Sequence, residues 1–184
     1  MNDKPTYSFS ISEKKILVYD NLFSKESVKR FYDTLCLADF TFLHSSRNDT
    51  VQYREWAAGF SVEDFKTHQL HELALGIAQF YSEKTLCCYD VFSSASSFGD
   101  MSFIHNDSSN NQDISVLYYA NNYWEPEWGG ETIFYTDSNE AEIALSVIPG
   151  RLVVFNGGVK HRAGIPNRIC PEIRLTLSMR FESV

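Results

Sequence analysis

The period of the hydrophobic pattern changes once along the chain, near Cys87. Before that point, apolar positions recur at helical spacing. Ser24 can cap a helix that sets Val28, Phe31, Tyr32 and Leu35 on one face and leaves the other to lysine and glutamate. Ser61 and Asp64 have a capping-box spacing ahead of a second apolar stripe through Leu70, Leu73, Ile77 and Phe80. The polar, aromatic-studded segment HSSRNDTVQYREWAAGF between them predicts an ordered surface loop. After Cys87 come short β-like runs: CCYDVF, FIHND, ISVLYYA, ETIFY, IALSVI, RLVVF and IRLTLSMRFE. They are punctuated by Gly-Gly, Pro-Gly, Asn-Gly-Gly and Asp-Ser-Asn turns. Helices do not alternate with these strands, so a βαβ fold is disfavoured. A mainly β antiparallel sandwich or jelly roll, buttressed on one face by N-terminal helices, is expected. The 184 residues predict a single domain, 1–184, with helical support over 20–82 and the jelly-roll core over 85–182.

Composition narrows the partners. A net charge of -8 and a pI near 5.1 repel phosphate backbones and anionic lipid, so neither nucleic acid nor membrane is expected. A small molecule or a protein is favoured. Cys36, Cys87, Cys88 and Cys170 form no CxxC or Cys/His zinc spacing and read as reduced thiols. The first residues lack the apolar core of a signal peptide, which predicts a cytoplasmic protein; oligomeric state is not encoded legibly.

Candidate chemistry begins at His105 and Asp107. One residue apart on an extended chain, they project to the same face and could share a metal. Alone, such a pair is as well explained by a polar strand end. His161 stands after the run RLVVF and an Asn-Gly-Gly turn that could deliver its side chain to a cavity mouth. Two histidines and one carboxylate suit ferrous iron with open coordination positions. A dicarboxylate co-substrate such as 2-oxoglutarate would then need a buried cation. Arg174 lies in the last strand, and Thr176 two residues on faces the same way as a second donor. Arg168 and Arg180 are rivals for that role.

The order of segments carries more than any one of them. His105-x-Asp107, then LYYANNYWEPEWGGETIFY, PGRLVVFNGGVKHRAG and RLTLSMRF resembles the iron(II)- and 2-oxoglutarate-dependent dioxygenase superfamily, in its prolyl 4-hydroxylase-like branch, across residues 87–182. The resemblance implies a double-stranded β-helix. It implies Fe(II), 2-oxoglutarate and O2 as cofactor and co-substrates, with ascorbate as an accessory reductant. It also implies His105, Asp107 and His161 as iron ligands and Arg174 as partner of the distal carboxylate. Tyr119 is expected to reach the co-substrate, with Tyr118 pointing the other way and Tyr89 as a second candidate. One departure is the PNRICPE insertion, which lengthens the interval from His161 to Arg174. The implied reaction is hydroxylation of a C–H bond with release of succinate and CO2. An intact carboxylate at Asp107 disfavours halogenation and leaves desaturation and ring closure open.

The substrate is the least legible part. Arg47, Arg54 and Trp56 in the early polar segment, and Trp124 beside the Gly-Gly turn, are candidate contacts. Solvent-facing or structural roles compete for each of them, and for Trp128 and Glu131. A small-molecule or amino-acid-like substrate is expected. The alternatives are a peptidyl-prolyl hydroxylase, a non-catalytic jelly-roll binding module, or a cupin enzyme that uses no 2-oxoglutarate.

Overall fold

A computed structural model describes residues 4–184. Eight antiparallel strands form a large sheet and three form a small one, which face each other as a jelly roll. The large sheet runs in the order β1 (Tyr7–Ile11), β2 (Lys14–Tyr19), β9 (Leu152–Asn156), β6 (Ile114–Tyr119), β11 (Arg174–Ser183), β5 (Leu86–Ser96), β4 (Glu55–Gly59), β3 (Thr41–His44). The small sheet runs β10 (Lys160–Ala163), β7 (Thr132–Tyr135), β8 (Ala141–Leu145).

Period-two alternation along β11 divides the molecule into two layers. Leu175, Leu177, Met179 and Phe181 join the core under the helices, together with Phe31, Leu70, Ile77 and Tyr118. Arg174, Thr176, Ser178 and Arg180 point the opposite way, into a cavity between the sheets. The same alternation on β6 sends Tyr118 to the helices, where Phe23 and Phe31 meet it edge-on at 5.7 and 5.9 Å. It sends Tyr119 to the second core with Leu117, Phe134 and Phe155. A bidentate pair of Arg151 with Asp20, at 2.7 and 2.8 Å, joins the start of β9 to the end of β2.

Helix α1 (Lys25–Leu35) is capped by Ser24 and buries Val28, Phe31 and Leu35, as its spacing predicts. The second helical stretch is two helices, α2 (Val62–Phe65) and α3 (Gln69–Ser82). Ser61 caps the first, accepting from the Asp64 amide, and the His68 Nδ1 accepts from the Leu70 amide to start the second. The restart rotates the buried face to Leu70, His71, Ala74, Ile77 and Ala78, so Phe80, placed on the stripe by its spacing, is 59% exposed.

Three strand assignments also differ from expectation. The N-terminal third is not purely helical, since β1 and β2 form a hairpin whose turn residues Ser12 and Glu13 both have positive φ (45° and 64°). A turn of that hand normally carries Asn-Gly, and Ser-Glu gives no such signal. The segment expected to be a surface loop supplies β4, which pairs with β5 from Trp56↔Ala95 to Gly59↔Phe92. FIHND forms only a single bridge, His105↔His161, whereas KHRA forms β10.

Candidate active site

The bridge between His105 and His161 builds the site. Each backbone donates to the other's carbonyl at 2.9 Å, which brings the two imidazoles to a centroid separation of 4.5 Å. Both rings are held by the same device: Nδ1 of His105 lies 2.9 Å from the Phe103 carbonyl and Nδ1 of His161 lies 3.0 Å from the Val159 carbonyl. A carbonyl can only accept, so the proton sits on Nδ1 and the Nε2 lone pair is free for a metal. Asp107 lies 3.7 Å from each Nε2, one carboxylate oxygen toward each histidine. One ligand atom from each of the three residues lies within 4.8 Å of the others. This separation suits a cation between them.

The local electrostatics favour the metal-binding protonation states. Burial, reinforced by His161, lowers the His105 pKa to about 4 and keeps its ring neutral. Burial pushes the Asp107 carboxyl upward, but His161, Arg180, His105 and the Ser115 hydroxyl outweigh it and hold the group at about 2. Arg180 is the direct partner: its Nη2 donates to Asp107 Oδ1 at 2.8 Å and its Nη1 to Asp90 Oδ2 at 3.2 Å, with the guanidinium 4.9 Å from the Phe92 ring.

Arg174 is 2% exposed. Its Nε donates to the Gly130 carbonyl at 2.7 Å and its Nη2 to Thr132 Oγ1 at 3.0 Å, and the guanidinium carbon lies 5.6 Å from the Tyr119 ring. Among the described residues no carboxylate comes within ion-pair distance of it. Desolvation accordingly depresses its pKa, with Tyr119 and Glu131 only partly opposing. A buried guanidinium without a counter-ion costs several kcal/mol by general estimate, roughly what a bound anion would relieve. Thr132 is well placed to help. Its oxygen accepts from both Tyr119 OH, at 2.6 Å, and Arg174, which leaves its own hydroxyl proton to donate into the cavity it lines.

A cavity of about 180 Å³ joins these parts, lined by the triad, Arg174, Thr176, Thr132 and Arg180. Of the remaining sequence candidates, Trp56 lies at the wall and is 42% exposed. Arg47 sits outside, on an adjacent groove, ion-paired with Asp49 and bonded to the Ile104 carbonyl at 3.0 Å. Tyr119 lies beneath Arg174 and reaches the cavity only through Thr132. Three more candidates are not brought to the cavity: Arg54 is exposed, Tyr89 bonds Asp113 at 3.5 Å, and Trp124 is buried with its Nε1 on the Gly129 carbonyl at 2.9 Å. Trp124 instead packs beside Gly130, and a methyl group at that glycine would meet Trp124 at 3.2 Å and Arg174 at 3.1 Å. Arg168 is exposed on a turn. Sequence reasoning missed Thr132, His44, Glu55 and Asp100 as cavity residues; Glu55-Trp56-Ala57-Ala58-Gly59 carries no period-two pattern that would mark the strand holding Glu55.

The two-histidine, one-carboxylate donor set and the anion-free guanidinium fit Fe(II) and 2-oxoglutarate. The comparisons with known proteins agree. HygX from Streptomyces hygroscopicus, solved with nickel, 2-oxoglutarate and hygromycin B, is 12% identical, covering 92% of this chain and 83% of that one at a TM-score of 0.69. A Trichoplax adhaerens prolyl hydroxylase in complex with a hypoxia inducible factor peptide is 16% identical (90% and 82% covered, TM-score 0.67). A Pseudomonas putida prolyl-4-hydroxylase is 17% identical (92% of each chain, TM-score 0.63). At these identities the likeness establishes the fold. No curated protein sequence matches the chain. The model of the 2OG-Fe(II) oxygenase superfamily matches residues 82–179, more than half of the sequence. The chain belongs to that superfamily, whose chemistry runs on Fe(II), 2-oxoglutarate and O2.

Proposed function

We propose that the chain is a single-domain hydroxylase that oxidises a C–H bond of a small-molecule or amino-acid-like substrate and releases succinate and CO2. In this proposal His105, Asp107 and His161 hold Fe(II), and Arg174 holds the distal carboxylate of 2-oxoglutarate. The observation that carries it is the coexistence in one cavity of three convergent ligands and a buried guanidinium lacking any carboxylate partner among the described residues. A non-catalytic binding module predicts no tight ferrous site and no co-substrate turnover.

Fe(II), when bound, supplies open positions at which 2-oxoglutarate and O2 react. The rest falls to the chain. The carbonyls of Phe103 and Val159 fix both imidazole tautomers, and Arg180 fixes the Asp107 carboxylate. Arg174 and the Thr132 hydroxyl bind and orient the far end of the co-substrate, Thr176 faces the same space, and Tyr119 braces Thr132 from below. The apolar layers around Phe134, Phe155 and Leu117 exclude water from that end. With Asp107 as a metal ligand, the donor set would favour hydroxylation over halogenation. The modest volume of the cavity supports a small substrate. HygX, crystallised with hygromycin B, shows the fold in company with a small molecule.

The test is succinate release from 2-oxoglutarate by the Fe(II)-loaded protein under air. Turnover above a His161→Ala background is expected. Equal rates in the two proteins would defeat the proposal.

A further inference from the structure

Of the two cavity carboxylates that the iron and 2-oxoglutarate reading leaves without a task, Asp100 is tied to its own loop by the Ser97 amide at 2.6 Å and the Ser97 hydroxyl at 3.1 Å, and the less engaged is Glu55. It opens β4, pairs with His44 across β3, and lines the same cavity as the three candidate ligands. It is half-buried, yet its side chain has a single hydrogen-bond partner, the Ser46 hydroxyl at 3.0 Å on Oε1. Among the described residues no lysine, arginine or histidine nitrogen lies within ion-pair distance. The neighbouring cations are engaged elsewhere: Arg180 with Asp90 and Asp107, and Arg47 with Asp49. Burial raises the Glu55 pKa; Ser46 and His105 oppose this and the Asp100 carboxylate adds to it. Glu55 thus presents a carboxylate to the cavity, beside that of Asp100, with no counter-ion among the described residues.

We propose that Glu55 is the specificity-determining residue of the substrate pocket and that it selects a substrate bearing a cationic amine or guanidine. This deepens the oxygenase reading and rests on it. As with Arg174, a partly desolvated charge lacking a counter-ion among the described residues is costly, and a ligand of opposite charge removes the cost. The two are complementary in sign, so an anionic co-substrate and a cationic substrate can occupy one cavity without competing. Trp56, next in sequence and tilted against Phe42 at a centroid distance of 5.0 Å, sets an aromatic edge at the mouth, which an ammonium group tolerates well. Ser45, Ser46, Ser94, Ser96 and Ser102 also line the cavity and supply hydroxyls for a polar, hydrogen-bonding body. The net charge of -8 draws cations toward the protein as a whole.

The experiment is calorimetric binding to anaerobic Fe(II)- and 2-oxoglutarate-loaded protein. Glucosamine, cadaverine and agmatine serve as cationic probes, and N-acetylglucosamine, 1,5-pentanediol and glutarate as neutral and acidic counterparts. Amines are expected to bind, more weakly as salt rises, while their counterparts do not. Glu55→Gln should weaken amine binding by roughly tenfold or more, as expected for loss of a charged partner, with its melting temperature reporting that it folds. The inference is overturned if the counterparts bind as well as the amines, if no amine binds, or if Glu55→Gln binds amines as wild type does. Should Glu55→Gln not fold, the wild-type comparison of glucosamine with N-acetylglucosamine decides alone. Failure of the wild-type protein to bind Fe(II) with 2-oxoglutarate would instead refute the oxygenase reading, and the amine preference would still be measurable on the metal-free protein.

Discussion

Replacing Arg174 with methionine should separate function from stability. The guanidinium is 2% exposed, makes two hydrogen bonds, and has no carboxylate partner among the described residues, so the folded protein carries its desolvation cost until an anion binds. Removing it leaves the distal carboxylate of 2-oxoglutarate facing a pocket without a cation. Breaking a buried charge pair from one side costs about 3–5 kcal/mol. At about 1.4 kcal/mol per decade, Arg174→Met should weaken 2-oxoglutarate binding by roughly two to three and a half powers of ten. In the absence of co-substrate the methionine relieves a buried charge, worth about 1–4 kcal/mol in favourable cases. It forfeits the bonds to Gly130 and Thr132, worth about 1.5–3 kcal/mol each for a charged donor. The gain and the loss largely offset, so stability should fall by less than about 3 kcal/mol. The assays are a 2-oxoglutarate titration of the anaerobic Fe(II) protein and urea denaturation without ligand. Unchanged affinity together with a stability loss beyond about 3 kcal/mol would show Arg174 to be a structural residue and would refute the reasoning.

Three further outcomes follow from neighbouring contacts. Arg180→Met removes the donor to Asp107 Oδ1 and should lower metal affinity by roughly ten- to a hundredfold in a chelator competition, with Arg180→Lys recovering part; equal affinity would show that Asp107 is oriented without it. Gly130→Ala puts a methyl group 3.1 Å from Arg174 Cδ at a φ of +83°, so a stability loss of about 1–2 kcal/mol and a weaker grip on 2-oxoglutarate are expected, and an unaffected melting temperature and titration would contradict this. His71 is buried with Nε2 unpartnered among the described residues, and burial lowers its pKa below the ordinary 6.5. The unfolded chain then takes up its proton before the folded protein does, so this residue's effect is to erode stability as pH falls below 6.5. His71→Leu should flatten that part of the urea-midpoint profile, and an identical slope in the two proteins would refute it.

Local periodicity accounts for what could be read from the chain. Along β11 the alternation of Arg174, Thr176, Ser178 and Arg180 with Leu175, Leu177, Met179 and Phe181 was legible because each face meets a different medium, cavity on one side and helix packing on the other. The grouping of His105 and Asp107 with His161 was legible from spacing and from the turn before the second histidine. The hairpin at Ser12 and Glu13 was hidden because its left-handed turn is made without glycine or asparagine. The β4 strand was hidden because β5, one of its two partners, lies more than thirty residues away and its own residues, Trp56 apart, are polar or small. That strand carries Glu55, so the cavity wall on the substrate side was lost with it. Thr132 escaped notice because its role arises only where three separate strands converge on one hydroxyl. Trp124, a candidate for substrate by its place beside a loop, packs under Gly130 because the Gly-Gly turn leaves room for an indole there.

In the proposed function His105, Asp107 and His161 form one ferrous site that also takes 2-oxoglutarate. Anaerobic Fe(II) protein mixed with 2-oxoglutarate should develop the weak visible charge-transfer band of the chelate, and Asp107→Ala and His161→Ala should each abolish it. A wild-type protein that gives no band, or a His161→Ala variant that keeps it, would contradict the claim.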